Sequence, residues 1–191
     1  MSALWITDDL YNKCRLALLD ELKKHSVKFG DFTLRSGKKS DFYVDCRPVV
    51  LTPYGLQFAG AVIGYNVWQK FGTLDTCGTG VGGSYLSAAS ALSVGGYIIH
   101  VRDSKKEHGT KKKVELPANF NDIIEVVVVD DVLTTGSSLA VCLDALKEAN
   151  IKAAGCLVLV DREEGGKETI EDTYKIPVKS VFVKSDFNNY Q

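Results

Sequence analysis

The sequence is short of several things, and each shortage excludes something. No apolar run approaches the ~18 residues that a membrane-spanning helix needs, so no membrane partner is expected. Charge of one sign is also missing: 23 Lys and Arg stand against 24 Asp and Glu, a formal net charge of −1 over 191 residues. A chain this close to neutral has no global field for gripping a long polyanion, which argues against a nucleic-acid partner. The first ten residues hold two acids and no basic stretch, unlike a secretory signal. Cysteine pairs are lacking too. Cys14, Cys46, Cys77, Cys142 and Cys156 are scattered, without a CxxC pair or a Cys/His ligand spacing. An odd set of lone thiols fits a reducing, cytoplasmic setting and gives no support to zinc; each reads as a small buried apolar side chain. Internal repeats and Pro- or Ser-rich linkers are absent. With 45% hydrophobic and 25% charged residues, what is left is an ordinary globular composition, long enough for one core with a small appendage.

What is present is a pattern. Leu10, Cys14, Ala17, Leu18 and Leu22 recur at helical spacing behind Thr7 and Asp8, predicting a helix over 8–25. Strand-like runs at 29–34 and 42–46 flank a basic turn at 35–40, and Pro53 opens a helix that runs to about Phe71. From there strands and helices alternate: strand 74–77, helix 84–94, strand 97–102, strand 123–129, helix 137–150, strand 155–160 and strand 178–184. The run IIEVVVV at 123–129 is of the kind buried on both faces of a sheet. Alternation of this sort predicts an α/β fold, a central parallel sheet flanked by helices. Ligands of such sheets sit beyond the carboxyl ends of the strands, which directs attention to the loops after Cys77, Val101, Val129 and Val160.

The strongest chemical signal follows Val129. The apolar strand gives way to Asp130 and Asp131, then to Val132, Leu133, Thr134, Thr135, Gly136, Ser137 and Ser138, a turn that opens a helix. Backbone N–H groups and hydroxyls at that turn suit a phosphate. The two carboxylates repel a phosphate but suit sugar hydroxyls, or positive charge developing on a sugar carbon. A second signal lies at 102–115, which carries six Lys or Arg and three Asp or Glu, a net +3 that leaves −4 for the rest. His108 and Gly109 fall in its middle, and its scarcity of apolar residues suggests a mobile loop that closes over a polyphosphate. A third, Gly78-Thr79-Gly80-Val81-Gly82-Gly83, is formally a dinucleotide fingerprint, with Asp103 about 20 residues on. Its preceding strand is short and polar, and its acid falls inside the cationic loop, which weakens that reading.

VVVVDDVLTTGSS resembles the phosphoribosyl diphosphate (PRPP) binding motif of type I phosphoribosyltransferases. FGDFTLRSGKKSDFYVD at 29–45 is similar to the N-terminal signature of the orotate phosphoribosyltransferase family, RDSKKEHGTKKK at 102–113 to its catalytic loop, and LVDR at 159–162 to its base-recognition segment. The resemblance implies a type I phosphoribosyltransferase fold with a small N-terminal hood over residues 1–50 and a core over 51–191. It implies Mg²⁺-dependent transfer of phosphoribosyl from PRPP to orotate. Asp130 and Asp131 would hold the ribose diol, Thr134 to Ser138 the 5′-phosphate, and Arg102, Lys106 and His108 the diphosphate, with Arg35, Val132 and Leu133 also contacting PRPP. Lys106, His108, Asp130 and Asp131 would be the catalytic set. Phe42, Tyr43, Val44 and Thr134 would lie against orotate, with Arg162 pairing to its carboxylate. Mg²⁺ would be held mainly through PRPP, and Lys106 and His108 would reach the neighbouring subunit of a homodimer.

The chain departs from the family pattern in several places. Asp103 and Gly82 stand where members often carry lysine, and Leu116-Pro117 stands where a glycine usually follows the glutamate. Arg35 falls where a lysine is common. Two other readings remain open on the residues: transfer to another nucleobase, for which Arg162 would have no carboxylate to pair with, and a non-catalytic sensor of PRPP or nucleotide.

Overall fold

Successive side chains of a strand point to opposite faces, so four consecutive valines need apolar cover on both. In the computed structural model, which describes residues 5–33, 39–102, 113–118 and 125–187, Val126 to Val129 find it at the centre of a sheet. Val127 and Val129 join one buried cluster with Leu18, Leu22, Val62, Ile63 and Leu86. Val126 and Val128 join another with Leu139, Cys142, Leu146 and Ile170.

The chain runs α1 (Asp8–His25), β1 (Val27–Thr33), β2 (Lys39–Val44), α2 (Arg47–Val50), α3 (Pro53–Phe71), β3 (Thr76–Thr79), α4 (Gly80–Val94), β4 (Ile98–Val101) and β5 (Val114–Glu115). It continues through β6 (Glu125–Leu133), α5 (Ser137–Glu148), β7 (Lys152–Asp161), α6 (Gly166–Tyr174) and β8 (Val178–Val183), ending in a single 3₁₀ turn at Lys184–Phe187. The sheet order among the described residues is β5-β4-β3-β6-β7-β8. All neighbours are parallel except β5, which pairs antiparallel with β4. The expected parallel sheet flanked by helices is therefore the observed one. β1 and β2 form a separate antiparallel hairpin. Its buried Phe42 and Val44 belong to the same cluster as α1, α3 and the Val127 face of the sheet.

Local chemistry sets the helix ends. Thr7 accepts a hydrogen bond from Leu10 N at 3.3 Å to cap α1, whose first turn carries Asp8 and Asp9 and whose last carries Lys23, Lys24 and His25. Thr52 does the same for α3, with Pro53 in its first turn.

Several elements differ from the sequence pattern: α2 and the two-residue β5 are additional to it, and β3 begins two residues later than expected. β6 continues past Val129 to Leu133 because β7 keeps pairing with it, Val132 to Val160 and Leu133 to Asp161. The Asp pair is thus within the strand and not after it. α4 starts at Gly80, four residues early, because its glycines let the first turn lie directly on the sheet: a Cβ on Gly83 would sit 2.3 Å from the Val129 carbonyl oxygen. α6 has no counterpart in the sequence pattern; its buried apolar side chain is Ile170 alone, too little for a periodic signal.

Candidate active site

In an open parallel sheet, a ligand cleft forms where the chain reverses its direction of strand addition. Here that point lies between β3 and β6, since β3 leads outward to β4 and the chain then returns to β3's other edge. A cavity of about 590 Å³ opens there. Asp130, Asp131 and Val132 line it from β6, Thr79 to Gly82 from the β3–α4 junction, and Ser137 and Ser138 from the start of α5. Tyr43, Val44, Asp45 and Arg47 complete it from the exit of β2.

Asp130 is 7% exposed, and its carboxylate accepts a hydrogen bond from Asp131 N at 2.9 Å. Asp131 is partly buried and accepts from Val132 N at 3.1 Å. Burial pushes the Asp131 carboxyl above its ordinary range; a side-chain hydrogen bond with Asp130 and then the backbone hydrogen bonds oppose it, and the charge of Asp45 adds a smaller push upward. The same carboxyl explains one departure from the family pattern. A Cβ on Gly82 would lie 2.3 Å from the Asp131 carboxyl carbon, so the glycine is required where Asp131 takes this position.

α5 begins from Gly136 at φ 83, the left-handed region that glycine adopts without strain, and its first turn carries no acid. Ser137 and Ser138 are exposed at this helix start, where N–H groups without intrahelical partners favour an anion. Thr135 is exposed and Thr134 partly buried. Leu133 is a core residue, 1% exposed, with its carbonyl accepting from Arg162 N at 3.0 Å.

Arg162 lies elsewhere in the site region. It lines a second cavity, of about 620 Å³, with Ser40, Phe42, Glu164 and Lys184. Successive residues of β2 line the two spaces, Phe42 the one and Tyr43 the other. The Arg162 side chain is 6% exposed; Nη2 donates to the Phe42 carbonyl at 2.7 Å and to Ser40 Oγ at 3.0 Å, and lies 2.9 Å from Glu164 Oε1. Its Nε is buried without a protein partner among the described residues. Phe42 is itself buried, 5.5 Å from the Phe29 ring and 5.8 Å from that of Phe187, whereas the next residue, Tyr43, is exposed.

Arg102 leaves β4 with its N–H bonded to Lys113 O at 3.0 Å and its guanidinium paired with Glu115. Arg35, Asp103, Lys106 and His108 lie outside the described residues. Sequence reasoning missed Arg47, which pairs through Nε and Nη2 with both oxygens of Asp45, at 2.8 and 2.7 Å. The spacing of an acid and an arginine two residues apart was its only signal.

Among the described residues no group of three or more His, Cys, Asp or Glu is placed to hold a metal by itself. The donor set near the cleft, oxygens of Asp130 and Asp131, fits a hard cation shared with a phosphate-bearing ligand. No described helix is long and apolar enough to cross a membrane.

A carboxylate pair near the end of one parallel strand and a serine-bearing helix start share one cleft, and residues 86–187 match the phosphoribosyl transferase domain family. The chain is 36% identical over 151 residues to the orotate phosphoribosyltransferase of Pyrococcus furiosus, covering 78% of this chain and 82% of that one. Against the orotate phosphoribosyltransferase of Halobacterium salinarum it is 36% identical over 180 residues, 94% and 95% of the two chains. The orotate phosphoribosyltransferase structure from Aeropyrum pernix superposes with a TM-score of 0.73 at 30% identity, over 89% of this chain and 96% of that one. The Mycobacterium tuberculosis enzyme of the same name, solved with Fe(III) dicitrate, gives 0.76 at 26% identity over 92% and 99%. The chain belongs to the orotate phosphoribosyltransferase family.

Proposed function

We propose that the protein transfers the phosphoribosyl group of PRPP to N1 of orotate, giving orotidine 5′-monophosphate and pyrophosphate. The observation that carries this reading is the Asp130–Asp131 pair at the β3–β6 switch point, within one cavity with the start of α5. Ser137 and Ser138 bind the 5′-phosphate with α5 N–H groups, while Thr134, Thr135 and Gly136 shape the turn. Asp130 and Asp131 hold the ribose hydroxyls and stabilise positive charge as the anomeric carbon loses its pyrophosphate. Arg162 takes the orotate carboxylate; its unpartnered buried Nε supports that role. Tyr43 and Val44 lie beside the base, Phe42 backing them from the core. Arg35, Arg102, Lys106 and His108 receive the diphosphate, the last two from the neighbouring subunit of a homodimer. Exposed Leu51, Tyr54, Tyr85 and Leu92 supply apolar surface for such an assembly.

Mg²⁺ bound to PRPP would neutralise charge on the departing pyrophosphate. No nucleophile from the protein is required, since both reactants are aligned and the leaving group is stabilised. The five free, buried thiols support a cytoplasmic setting.

The test is a turnover assay with purified protein, PRPP, Mg²⁺ and a panel of bases. Orotate consumption with stoichiometric pyrophosphate release is expected. Preference for adenine or uracil would transfer the activity to another base, and no turnover with any base would leave a ligand-sensing role.

A further inference from the structure

The lining of the β3–β6 cavity is unfavourable for a diphosphate taken alone. It holds three carboxylates, Asp45, Asp130 and Asp131, and among the described residues a single cation, Arg47. The first turn of α4 offers backbone dipoles but no charge, and Asp131 closes the wall at Gly82 to any longer side chain. Arg47 is well placed to supply the missing charge. Asp45 accepts from its Nε at 2.8 Å, from Nη2 at 2.7 Å and from its backbone N at 3.1 Å, which fixes the plane of the guanidinium. Those bonds occupy one edge of the fork, and the remaining donors are available to a second anion. The side chain is 56% exposed, so it can meet a ligand without first being uncovered. α2 packs against α4 and Cys46 Sγ lies 3.9 Å from the Asp131 carbonyl oxygen, which sets Arg47 at the mouth of the cavity where β2 ends, whereas Ser137 and Ser138 open α5 after β6.

We propose that Arg47 binds the diphosphate end of PRPP, with Asp45 as the positioning residue that aims it. This rests on the phosphoribosyl reading above. In it the two ends of the ligand are held by different strands' exits, the 5′-phosphate by α5 and the diphosphate by Arg47 beside α4.

Isothermal titration calorimetry of the full chain with Mg²⁺-pyrophosphate, ribose 5-phosphate and orotate as separate probes tests it. Arg47→Gln is expected to weaken pyrophosphate binding by about tenfold or more, the size of one charge-assisted hydrogen bond. Binding of ribose 5-phosphate and orotate is expected to stay within about twofold, which also shows that the variant is folded. Arg47→Lys keeps the charge but loses the fork and is expected to fall between; Asp45→Asn weakens pyrophosphate less than Arg47→Gln does. In steady state the loss appears as a raised KM for PRPP with KM for orotate unchanged. Unchanged pyrophosphate affinity in Arg47→Gln, or a fall confined to orotate, overturns the assignment while the phosphoribosyl reading stands. Failure of the parent protein to bind pyrophosphate and ribose 5-phosphate overturns both.

Discussion

Arg162 and Phe42 are joined across 120 residues of sequence by a 2.7 Å hydrogen bond from the guanidinium to the backbone carbonyl. The end of β7 is thereby tied to the N-terminal hairpin, in the place where the proposed base is recognised. In the proposed reading one arginine has two duties, holding β2 in position and presenting a donor edge to the orotate carboxylate.

Those duties separate by measurement. Arg162→Ala takes the charged donor from the Phe42 carbonyl and from Ser40 Oγ, leaving the Ser40 hydroxyl as the partner of that carbonyl at 2.9 Å, a cost of about 1.5–3 kcal/mol in urea unfolding. It also raises KM for orotate far more than KM for PRPP. Arg162→Lys recovers part of the stability but little of the orotate affinity, because an ammonium cannot reproduce the planar fork. Equal increases in both KM values would leave Arg162 a structural tie and nothing more.

Gly82 gives a second prediction, contrary to what charge alone suggests. Adding a lysine beside a diphosphate site ought to help, and some family members carry one. In this chain the Cβ of any such residue meets the Asp131 carboxyl carbon at 2.3 Å, so Asp131 must move. Gly82→Ala and Gly82→Lys are both expected to lower kcat/KM by about tenfold or more, the scale of one misplaced catalytic contact. The outcome that counts against this is Gly82→Lys at parental activity.

How much of this was legible in the sequence depends on how local each cause is. The valine run announced the sheet because burial on both faces leaves its mark in consecutive residues. Asp130, Asp131, Ser137 and Ser138 were legible because strand, turn and helix start follow one another within one segment. The place of Arg47 in the cavity was not, since it depends on the exit of β2 arriving against α4 across a large stretch of chain. Gly82 likewise read as a lost charge, and became a steric requirement only when Asp131 was set beside it. That Arg162 and the Asp pair line different cavities is also a tertiary fact, since in sequence both come at the end of an apolar run and look equivalent.

The cationic segment at 102–115 yields a kinetic prediction from its net charge of +3. A group that meets the pyrophosphate as it departs acts on the transition state, so its loss falls on turnover more than on ground-state binding. Lys106→Ala is expected to lower kcat by about a hundredfold, in line with loss of one electrostatic contact at the leaving group, while the orotate dissociation constant changes little. Rapid-quench turnover and equilibrium titration of orotate, made on the same preparation, check it. Equal losses in the two would contradict a role confined to the reacting state.

Asp131 should trade stability for function, with a pH signature. Its carboxyl is held above the ordinary value of 3.8 mainly by burial, with the charge of Asp45 adding to the effect. The folded protein therefore binds that proton more tightly than the unfolded chain does. The resulting stability is fully present below the unfolded pKa and is lost as pH rises through the folded one. Asparagine keeps the shape and is neutral at every pH. Asp131→Asn is accordingly expected to melt at the same temperature as the parent below pH 3.8, and at a higher temperature near neutrality. Its transferase activity is expected to fall, because in the proposed mechanism the charge that destabilises the fold is the one that stabilises a cationic sugar carbon. Asp130, Asp45 and Arg47 face the same space, so the melting series is run in the Asp45→Asn background as well. There the stability gained from Asp131→Asn shrinks, since a charge that penalises the Asp131 carboxylate has already been removed; an unchanged gain would assign the whole effect to burial.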